Sequence, residues 1–231
     1  MRKFTIAISP CPNDTFIFDA ILNDKIDTEG FEFDVIFADV EELNQAAFRK
    51  QYDITKLSYH AFAYASDDYI LIHSGSALGN NCGPLLIGKK DLSEAEINTA
   101  RIAIPGKYTT ANLLFSLKYP AAKNKDYILF SDIENKVLEG TFDAGVIIHE
   151  NRFTYPQKGL KKIIDLGEFW EQTYNTPIPL GGIAIKRIFD IDTQKSIERI
   201  IKRSIEFAIE FPESSHHFIR NHSQEMSIDV C

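Results

Sequence analysis

The segment Asp143-Ala-Gly-Val-Ile-Ile-His149-Glu-Asn-Arg152-Phe-Thr-Tyr155 joins a buried strand to a polar turn. Its run of β-branched residues, Val146 to Ile148, is typical of a strand that is covered on both faces of a sheet. Polar residues follow at once, beginning with His149. Ligands of open α/β sheets bind beyond the carboxyl ends of strands, and an imidazole can exchange a proton near neutral pH. His149 is therefore a candidate acid or base, and the alternative is an exposed loop histidine.

Strand–turn–helix patterns continue on both sides of this segment. The predicted strands are Phe4–Ile8, Phe31–Ala38, Tyr52–Leu57, Arg101–Ile104, Tyr127–Phe130, Phe142–Ile148 and, as a further candidate, Lys162–Asp165. One predicted helix follows the Ser9–Phe16 turn and continues to about Leu22, and another opens at Asp39 or Val40 and continues through Phe48. Further helices are predicted at Tyr59–Ala65, Ala111–Lys118, Asp132–Glu139, Leu166–Tyr174 and Thr193–Glu210. In the last of these, an isoleucine stripe at helical spacing predicts a face that packs on the core: Ile197, Ile200, Ile201, Ile205 and Ile209. The alternation of strands and helices predicts the α/β class.

Two glycine- or proline-rich passages divide this pattern. The first runs from Gly75 to Gly88, and the second from Thr176 to Ile185. We interpret them as two crossovers between lobes. The prediction is a discontinuous first lobe of residues 1–88 and 184–231 and a second lobe of residues 89–183. Such a layout predicts a cleft with a hinge, whose closure excludes water from a ligand.

The overall composition limits the partners of the protein. A net charge of −8 without a basic stripe argues against nucleic acid as a partner. No apolar run approaches the length of a membrane span, so we expect no membrane partner. The start of the sequence does not resemble a signal peptide, and the three cysteines lack the spacing of a disulfide framework or a metal site. A cytoplasmic location is the expectation.

Two strand–turn–helix units, Ser9–Phe16 and Pro105–Ala111, carry the candidate binding chemistry. A helix N-terminus offers unpaired N–H groups to a carboxylate or phosphate, and Thr109 and Thr110 add hydroxyl donors. Ordinary helix capping explains the threonines equally well. No Walker loop or dinucleotide fingerprint occurs, so no nucleotide cofactor is expected.

The remaining cysteines and histidines are expected to be structural. Cys11 and Cys82 are expected to be small buried residues. The histidines near the end, His216, His217 and His222, are expected at the surface and not at a metal site.

Several motifs together are more specific than any one of them. They are Ser9-Pro-Cys-Pro-Asn-Asp-Thr-Phe, Thr55-Lys-Leu-Ser-Tyr59, Cys82-Gly-Pro-Leu-Leu, Ile104-Pro-Gly-Lys-Tyr-Thr-Thr-Ala, Ile148-His-Glu-Asn-Arg-Phe-Thr-Tyr and Pro179-Leu-Gly-Gly. With these motifs in this order, over residues 4 to about 225, the chain resembles the 1,4-dihydroxy-6-naphthoate synthase family, which belongs to menaquinone biosynthesis through futalosine.

The resemblance implies a type II periplasmic-binding-protein-like fold and a lyase reaction. Cyclic de-hypoxanthine futalosine, a small-molecule carboxylate, would be converted to 1,4-dihydroxy-6-naphthoate without a metal or an organic cofactor. His149 would be the proton acceptor, and the substrate contacts would be Lys56, Leu57, Ser58, Thr109 and Thr110. Members of the family often pair as homodimers, although the sequence shows no interface signature. For Glu150 and Arg152 we expect structural pairs with a neighbouring strand.

Three alternatives remain open. Solute receptors share this fold, so a cytoplasmic binding protein for a small carboxylate is the first. The second is the sister chorismate dehydratase, against which the Ser9–Phe16 motif discriminates. The family often has Ser where this chain has Asn151, a polar exchange from which we expect little effect. The family continues with helical sequence beyond the position of Cys231, so an inactive, C-terminally truncated homologue is the third.

Overall fold

The structure, a computed structural model, describes residues 2–80, 82–149 and 151–222. The chain forms two compact units. Unit 1 contains Met1–Ala77 and Gly181–Cys231, and unit 2 contains Leu78–Leu180. Unit 1 is thus discontinuous in sequence, since unit 2 is inserted between its two parts.

The strands and helices alternate along most of the chain. The strands are β1 (Arg2–Ile8), β2 (Phe31–Phe37), β3 (Ile54–Ser58), β4 (Tyr69–Leu71), β5 (Ala77–Gly79), β6 (Leu85–Gly88), β7 (Ile102–Ile104), β8 (Lys125–Tyr127), β9 (Ala144–Ile147), β10 (Lys161–Asp165) and β11 (Ile178–Lys186). The α-helices are α1 (Pro12–Leu22), α2 (Val40–Phe48), α3 (Tyr59–Ala65), α4 (Glu94–Thr99), α5 (Thr110–Lys118), α6 (Ile133–Leu138), α7 (Asn151–Thr154), α8 (Leu166–Tyr174), α9 (Ile191–Glu210) and α10 (His216–His222). Short 3-10 helices cover Phe130–Asp132, Tyr155–Lys158 and Pro212–Ser215.

The sheet of unit 1 has the strand order β2-β1-β3-β11-β4, and β5 pairs with β11. Strand β1 is parallel to both β2 and β3, whereas β11 is antiparallel to β3 and β4. Alternate residues of β1 are fully buried against one face of α9, the longest helix. This core holds together the two parts of unit 1 that are distant in sequence.

The sheet of unit 2 has the strand order β10-β6-β9-β7-β8. Strand β7 is parallel to β8 and β9, and β6 is antiparallel to β9 and β10. Every residue of β9 is buried, as its apolar sequence predicts for a central strand with both faces covered. The α/β class predicted from the sequence is confirmed by these two sheets.

The predicted lobe boundaries differ from those of the two units. Residues 78–88, assigned to the first lobe, lie in unit 2 because β6 is hydrogen-bonded to β9 and β10. Residues 181–183, assigned to the second lobe, lie in unit 1 because they pair with Lys56, Leu57 and Ser58 of β3. Strand pairing determines the unit to which each of these segments belongs, and the glycine content of the sequence does not reveal which strands pair.

Three local predictions also need correction. Strand β8 ends at Tyr127, and Phe130 begins a 3-10 helix. Ile209 is 67% exposed, because at 100° per residue Ala208 is the residue that continues the buried face of α9 from Ile201. Cys11 is buried as expected, but Cys82 is exposed.

Candidate functional site

In unit 1, the Ser9–Phe16 motif folds around the carboxylate of Asp14. Asp14 Oδ2 accepts hydrogen bonds from the backbone N–H and the hydroxyl of Ser9, at 3.1 and 2.8 Å. Its Oδ1 accepts from Lys56 Nζ at 2.8 Å. Both side chains are almost completely buried, at 3% and 12% exposure. Parallel pairing of β1 and β3 brings these strand ends together, so the motif anchors the predicted substrate contact Lys56.

Because Gly181 has no side chain, the stem of Lys56 can occupy the space beside it. Gly181 pairs with Ser58 across the sheet. A Cβ atom at Gly181 would lie 3.1 Å from Leu57 O and 3.3 Å from Lys56 Cε. A side chain there would therefore crowd β3 and displace the lysine stem, which accounts for a glycine in the Pro179-Leu-Gly-Gly motif.

The three predicted contacts on β3 differ in orientation. Side chains alternate along a strand, so Lys56 and Ser58 lie on one face and Leu57 on the other. Leu57 is buried at 1% exposure, which leaves its backbone as the polar group it could offer a ligand. Ser58 is 4% exposed and is bonded to Asn44 of α2, a fully buried residue.

In unit 2, the hydroxyls of the two threonines are engaged within the protein. Thr109 is the N-cap of α5: its Oγ1 accepts from Asn112 N at 3.2 Å and donates to Gly106 O at 2.8 Å. Thr110 Oγ1 donates to Leu180 O at 2.8 Å. Thr109 is therefore a helix cap, as the alternative from the sequence had it. The hydrogen bond from Thr110 to Leu180 joins the Ile104–Ala111 motif to the Pro179–Gly182 motif. The backbone N–H groups of Thr110 and Ala111, the first two residues of α5, have no acceptor within the helix and are suited to an anion.

The first turn of α5 is braced further by Asn112. Its Nδ2 donates to Lys107 O at 2.7 Å, and its Oδ1 accepts from Lys125 Nζ at 3.0 Å. Burial lowers the pKa of Lys125. The loop between β7 and α5 is thus held by side chains from its own unit.

His149 lies two residues beyond β9, as the sequence predicts for a residue at the carboxyl end of that strand. Its backbone is left-handed, with φ of 54°, which is uncommon for a residue other than glycine. The Phe130 ring lies edge-on to the imidazole, with ring centroids 5.6 Å apart. Because β7 and β9 are parallel, His149 and the N-terminus of α5 follow strands that end at the same edge of the sheet.

Two anchors hold the chain just after His149. Asn151 Nδ2 donates to Glu134 Oε2 at 2.6 Å, and the same oxygen accepts from Lys158 Nζ at 2.8 Å. Glu134 is fully buried on α6. These bonds connect the first residue of α7 to a helix that packs against β9, and so restrict the backbone that carries His149.

Arg152 forms the second anchor. Its guanidinium donates to Gly83 O at 2.9 Å and lies 3.4 Å from the carboxylate of Asp165, the N-cap of α8. A Cβ atom at Gly83 would lie 2.6 Å from the Gly167 Cα, so only glycine permits this close approach. The structural pair expected for Arg152 is confirmed, whereas Glu150 lies outside the described residues.

The side chains that support these groups were not predicted from the sequence. Asp14 was quoted only as a member of the Ser9–Phe16 motif, and Asn44 and Glu134 were not singled out. A buried polar residue on an amphipathic helix, such as Asn44 or Glu134, looks like a surface residue in sequence. Their partners are 14 and 17 positions away, and no local pattern encodes that contact.

In the described ranges, no cluster of three His, Cys, Asp or Glu side chains could hold a metal ion. No helix in the same ranges is long and apolar enough to cross a membrane. His216 and His217 are exposed as expected, while His222 is half-buried with its ring 4.4 Å from that of Phe37.

Comparison with known sequences places these motifs in a family. A family model described as menaquinone biosynthesis matches residues 4–230. A 1,4-dihydroxy-6-naphthoate synthase of Thermus thermophilus is 37% identical over 230 residues, covering 100% of this chain and 83% of that protein. One from Streptomyces coelicolor is 38% identical over 231 residues, covering 98% and 81%.

Solved structures share the fold of this chain. The protein AF1704 of Archaeoglobus fulgidus superposes with a TM-score of 0.93 at 35% identity, covering 99% of this chain and 84% of that one. The alkanesulfonate-binding protein SsuA of Xanthomonas axonopodis has a TM-score of 0.73 at 12% identity and covers 100% and 89%. The latter likeness shows the fold alone, which is that of the periplasmic binding proteins. The family model and the two synthase matches establish that this chain belongs to the menaquinone-biosynthesis family that includes the 1,4-dihydroxy-6-naphthoate synthases.

Proposed function

We propose that the protein is a cytoplasmic, cofactor-independent carbon–carbon lyase that converts cyclic de-hypoxanthine futalosine to 1,4-dihydroxy-6-naphthoate. The observation that carries the proposal is His149. It follows a buried central strand, in a left-handed conformation, on a segment anchored by Asn151 and Arg152. A base needs a fixed position relative to the proton that it removes, and these anchors supply that restraint.

The chemistry requires little more than a base and fixed binding groups. The substrate carries an aromatic carboxylate and a spiro centre, and cleavage of its carbon–carbon linkage produces an aromatic dihydroxynaphthalene ring. Aromatisation favours the product, so the protein must remove a proton and hold the reacting bonds in position. His149 accepts the proton in this proposal.

The proposed substrate contacts are Lys56, Leu57, Ser58, Thr109 and Thr110. The Lys56 ammonium, the Ser58 hydroxyl and the backbone N–H of Thr110 are hydrogen-bond donors, which suits a substrate that carries a carboxylate and carbonyl oxygens.

The test is single-turnover conversion of cyclic de-hypoxanthine futalosine by the parent and by His149→Asn, followed by product absorbance. Loss of a general base costs about 10²- to 10⁴-fold in rate, and we expect a fall in that range. His217→Asn is the matched control, because His217 is exposed on α10. Folding of all three proteins is checked by circular dichroism.

Each outcome has a distinct meaning. Equal turnover by the parent and His149→Asn would leave the reaction in place and remove His149 as the base. If the parent binds the substrate without converting it, the binding-protein alternative is favoured. The fold shared with SsuA motivates that alternative.

A further inference from the structure

Asn44 and Ser58 form a hydrogen-bond arrangement whose direction can be deduced. Ser58 N donates to Asn44 Oδ1 at 3.0 Å. Because a backbone N–H can only donate, the amide atom that faces it must be the oxygen. The other end of the Asn44 amide is therefore the nitrogen, and it lies 3.3 Å from both Ser58 Oγ and Glu41 Oε2.

This direction determines what the Ser58 hydroxyl can do. Its oxygen accepts a hydrogen bond from Asn44, so its proton must point elsewhere. Ser58 is the N-cap of α3, but its side chain does not cap that helix. No acceptor for the proton lies within residues 2–80, 82–149 and 151–222. A donor that is 4% exposed and has no protein acceptor is suited to a ligand oxygen.

We propose that Asn44 is a positioning residue that holds the Ser58 hydroxyl as a hydrogen-bond donor to an acceptor oxygen of the substrate. The inference rests on the proposed function, since it concerns the same binding group. Asn44 itself is fully buried and does not touch the substrate. Because the Asn44 amide orients the Ser58 hydroxyl as a donor, the ligand atom that contacts this hydroxyl should be a hydrogen-bond acceptor and not a donor.

The competing explanation is that Asn44 only ties α2 to β3. Asn44→Asp distinguishes the two, because aspartate has nearly the same shape and still accepts from Ser58 N. Its second oxygen accepts instead of donating, so the Ser58 proton turns toward that oxygen and is lost to the substrate. We expect KM for cyclic de-hypoxanthine futalosine to rise about tenfold, with kcat changed much less, as for the loss of one hydrogen bond.

A double-mutant cycle removes the effect of the added charge. Ser58→Ala alone should also raise KM about tenfold. In the Ser58→Ala background, Asn44→Asp should add nothing further, because there is no hydroxyl left to redirect. Repulsion between the new carboxylate and the substrate would persist in that background, so additive effects on KM would overturn the inference.

Two further variants keep the test decisive. Ser204→Ala is the matched control for a lost buried bond in unit 1, since Ser204 Oγ donates to Ile17 O at 2.6 Å; its KM should be unchanged. Should Asn44→Asp fail to fold, Asn44→Ala takes its place in the cycle. It frees the Ser58 hydroxyl to rotate, so we expect a smaller rise in KM that again vanishes with Ser58→Ala.

Failure of the inference and failure of the proposed function give different results. If the parent converts the substrate and the two substitutions act independently, Asn44 is only structural. If the parent neither converts nor binds the substrate, the proposed function is overturned, and the inference is overturned with it.

Discussion

At the scale of single residues, several polar side chains of the predicted site form hydrogen bonds within the protein. The Thr110 hydroxyl donates to Leu180 O, and the Thr109 hydroxyl is both cap and donor. A sequence motif alone assigns such residues to the ligand. The structure distinguishes a side chain that supports a site from one, such as Ser58, whose hydroxyl proton has no acceptor among the described residues.

Thr110→Val tests this distinction through stability. Valine has the shape of threonine but leaves Leu180 O without its donor, so we expect the free energy of unfolding to fall by about 1 kcal/mol. Thr110→Ser keeps the hydroxyl and serves as the control. Urea denaturation measures both. A Thr110→Val protein as stable as Thr110→Ser would show that the bond contributes nothing.

At the scale of elements, helix N-caps carry carboxylates in contrasting surroundings. Asp39 caps α2 with Oδ1 bonded to Glu41 N, but its Oδ2 is buried without a partner among the described residues. Burial raises the pKa of Asp39. Asp190 caps α9 at the surface, and its hydrogen bonds with Thr193 lower its pKa.

The two caps should therefore respond to pH with opposite sign. A raised pKa in the folded state means that stability is lost as the pH rises from the unfolded to the folded pKa of Asp39. Asp39→Asn keeps the cap without the charge, so we expect it to be more stable than the parent at neutral pH. The advantage should disappear below the unfolded pKa, near pH 4 or lower.

Asp190→Asn is the matched variant with the reverse expectation. Its lowered pKa stabilises the folded state above the unfolded pKa, and this contribution is lost as the pH falls through the folded pKa. The variant should be less stable than the parent at neutral pH, and the two should converge in acid. Denaturation at about pH 7 and about pH 3 measures both caps. Equal signs for the two variants at neutral pH would contradict the account.

At the scale of the whole molecule, unit 1 is assembled from chain segments that are far apart in sequence. The fully buried Asp19 of α1 is one connection between them. It accepts from Lys25 Nζ at 2.6 Å, and from the hydroxyl of Ser215, which is 196 positions away, at 2.8 Å. Lys25 also donates to Ser214 O at 2.8 Å.

Removing that carboxylate should destabilise unit 1 strongly. Asp19→Ala leaves the Lys25 ammonium and the Ser215 hydroxyl without their shared acceptor, and we expect a loss of about 3 kcal/mol in the free energy of unfolding. Asp68→Ala is the control, because its ion pair with Lys50 is exposed and should be worth about 1 kcal/mol or less. Equal losses measured by urea denaturation would refute a special role for Asp19.

The sequence by itself determined the features that depend on neighbouring residues. The β-branched run of β9, the polar turn that begins at His149 and the helices after Ser9–Phe16 and Thr109 are local patterns. Strand propensity, periodicity and capping arise between residues a few positions apart, so one sequence suffices to predict them. The motifs also sufficed to identify the family.

Only the tertiary structure decided which distant groups meet. The pairing of β6 with β9 moved residues 78–88 into unit 2, and the pairing of Gly181 with Ser58 placed the end of β3. The bonds from Asp14 to Lys56, Asn44 to Ser58 and Glu134 to Asn151 depend on the same strand order and register. Register is set by the packing of the whole sheet, which local propensity does not encode. His149 and its motif were therefore visible in the sequence, whereas the residues that hold them in place were not.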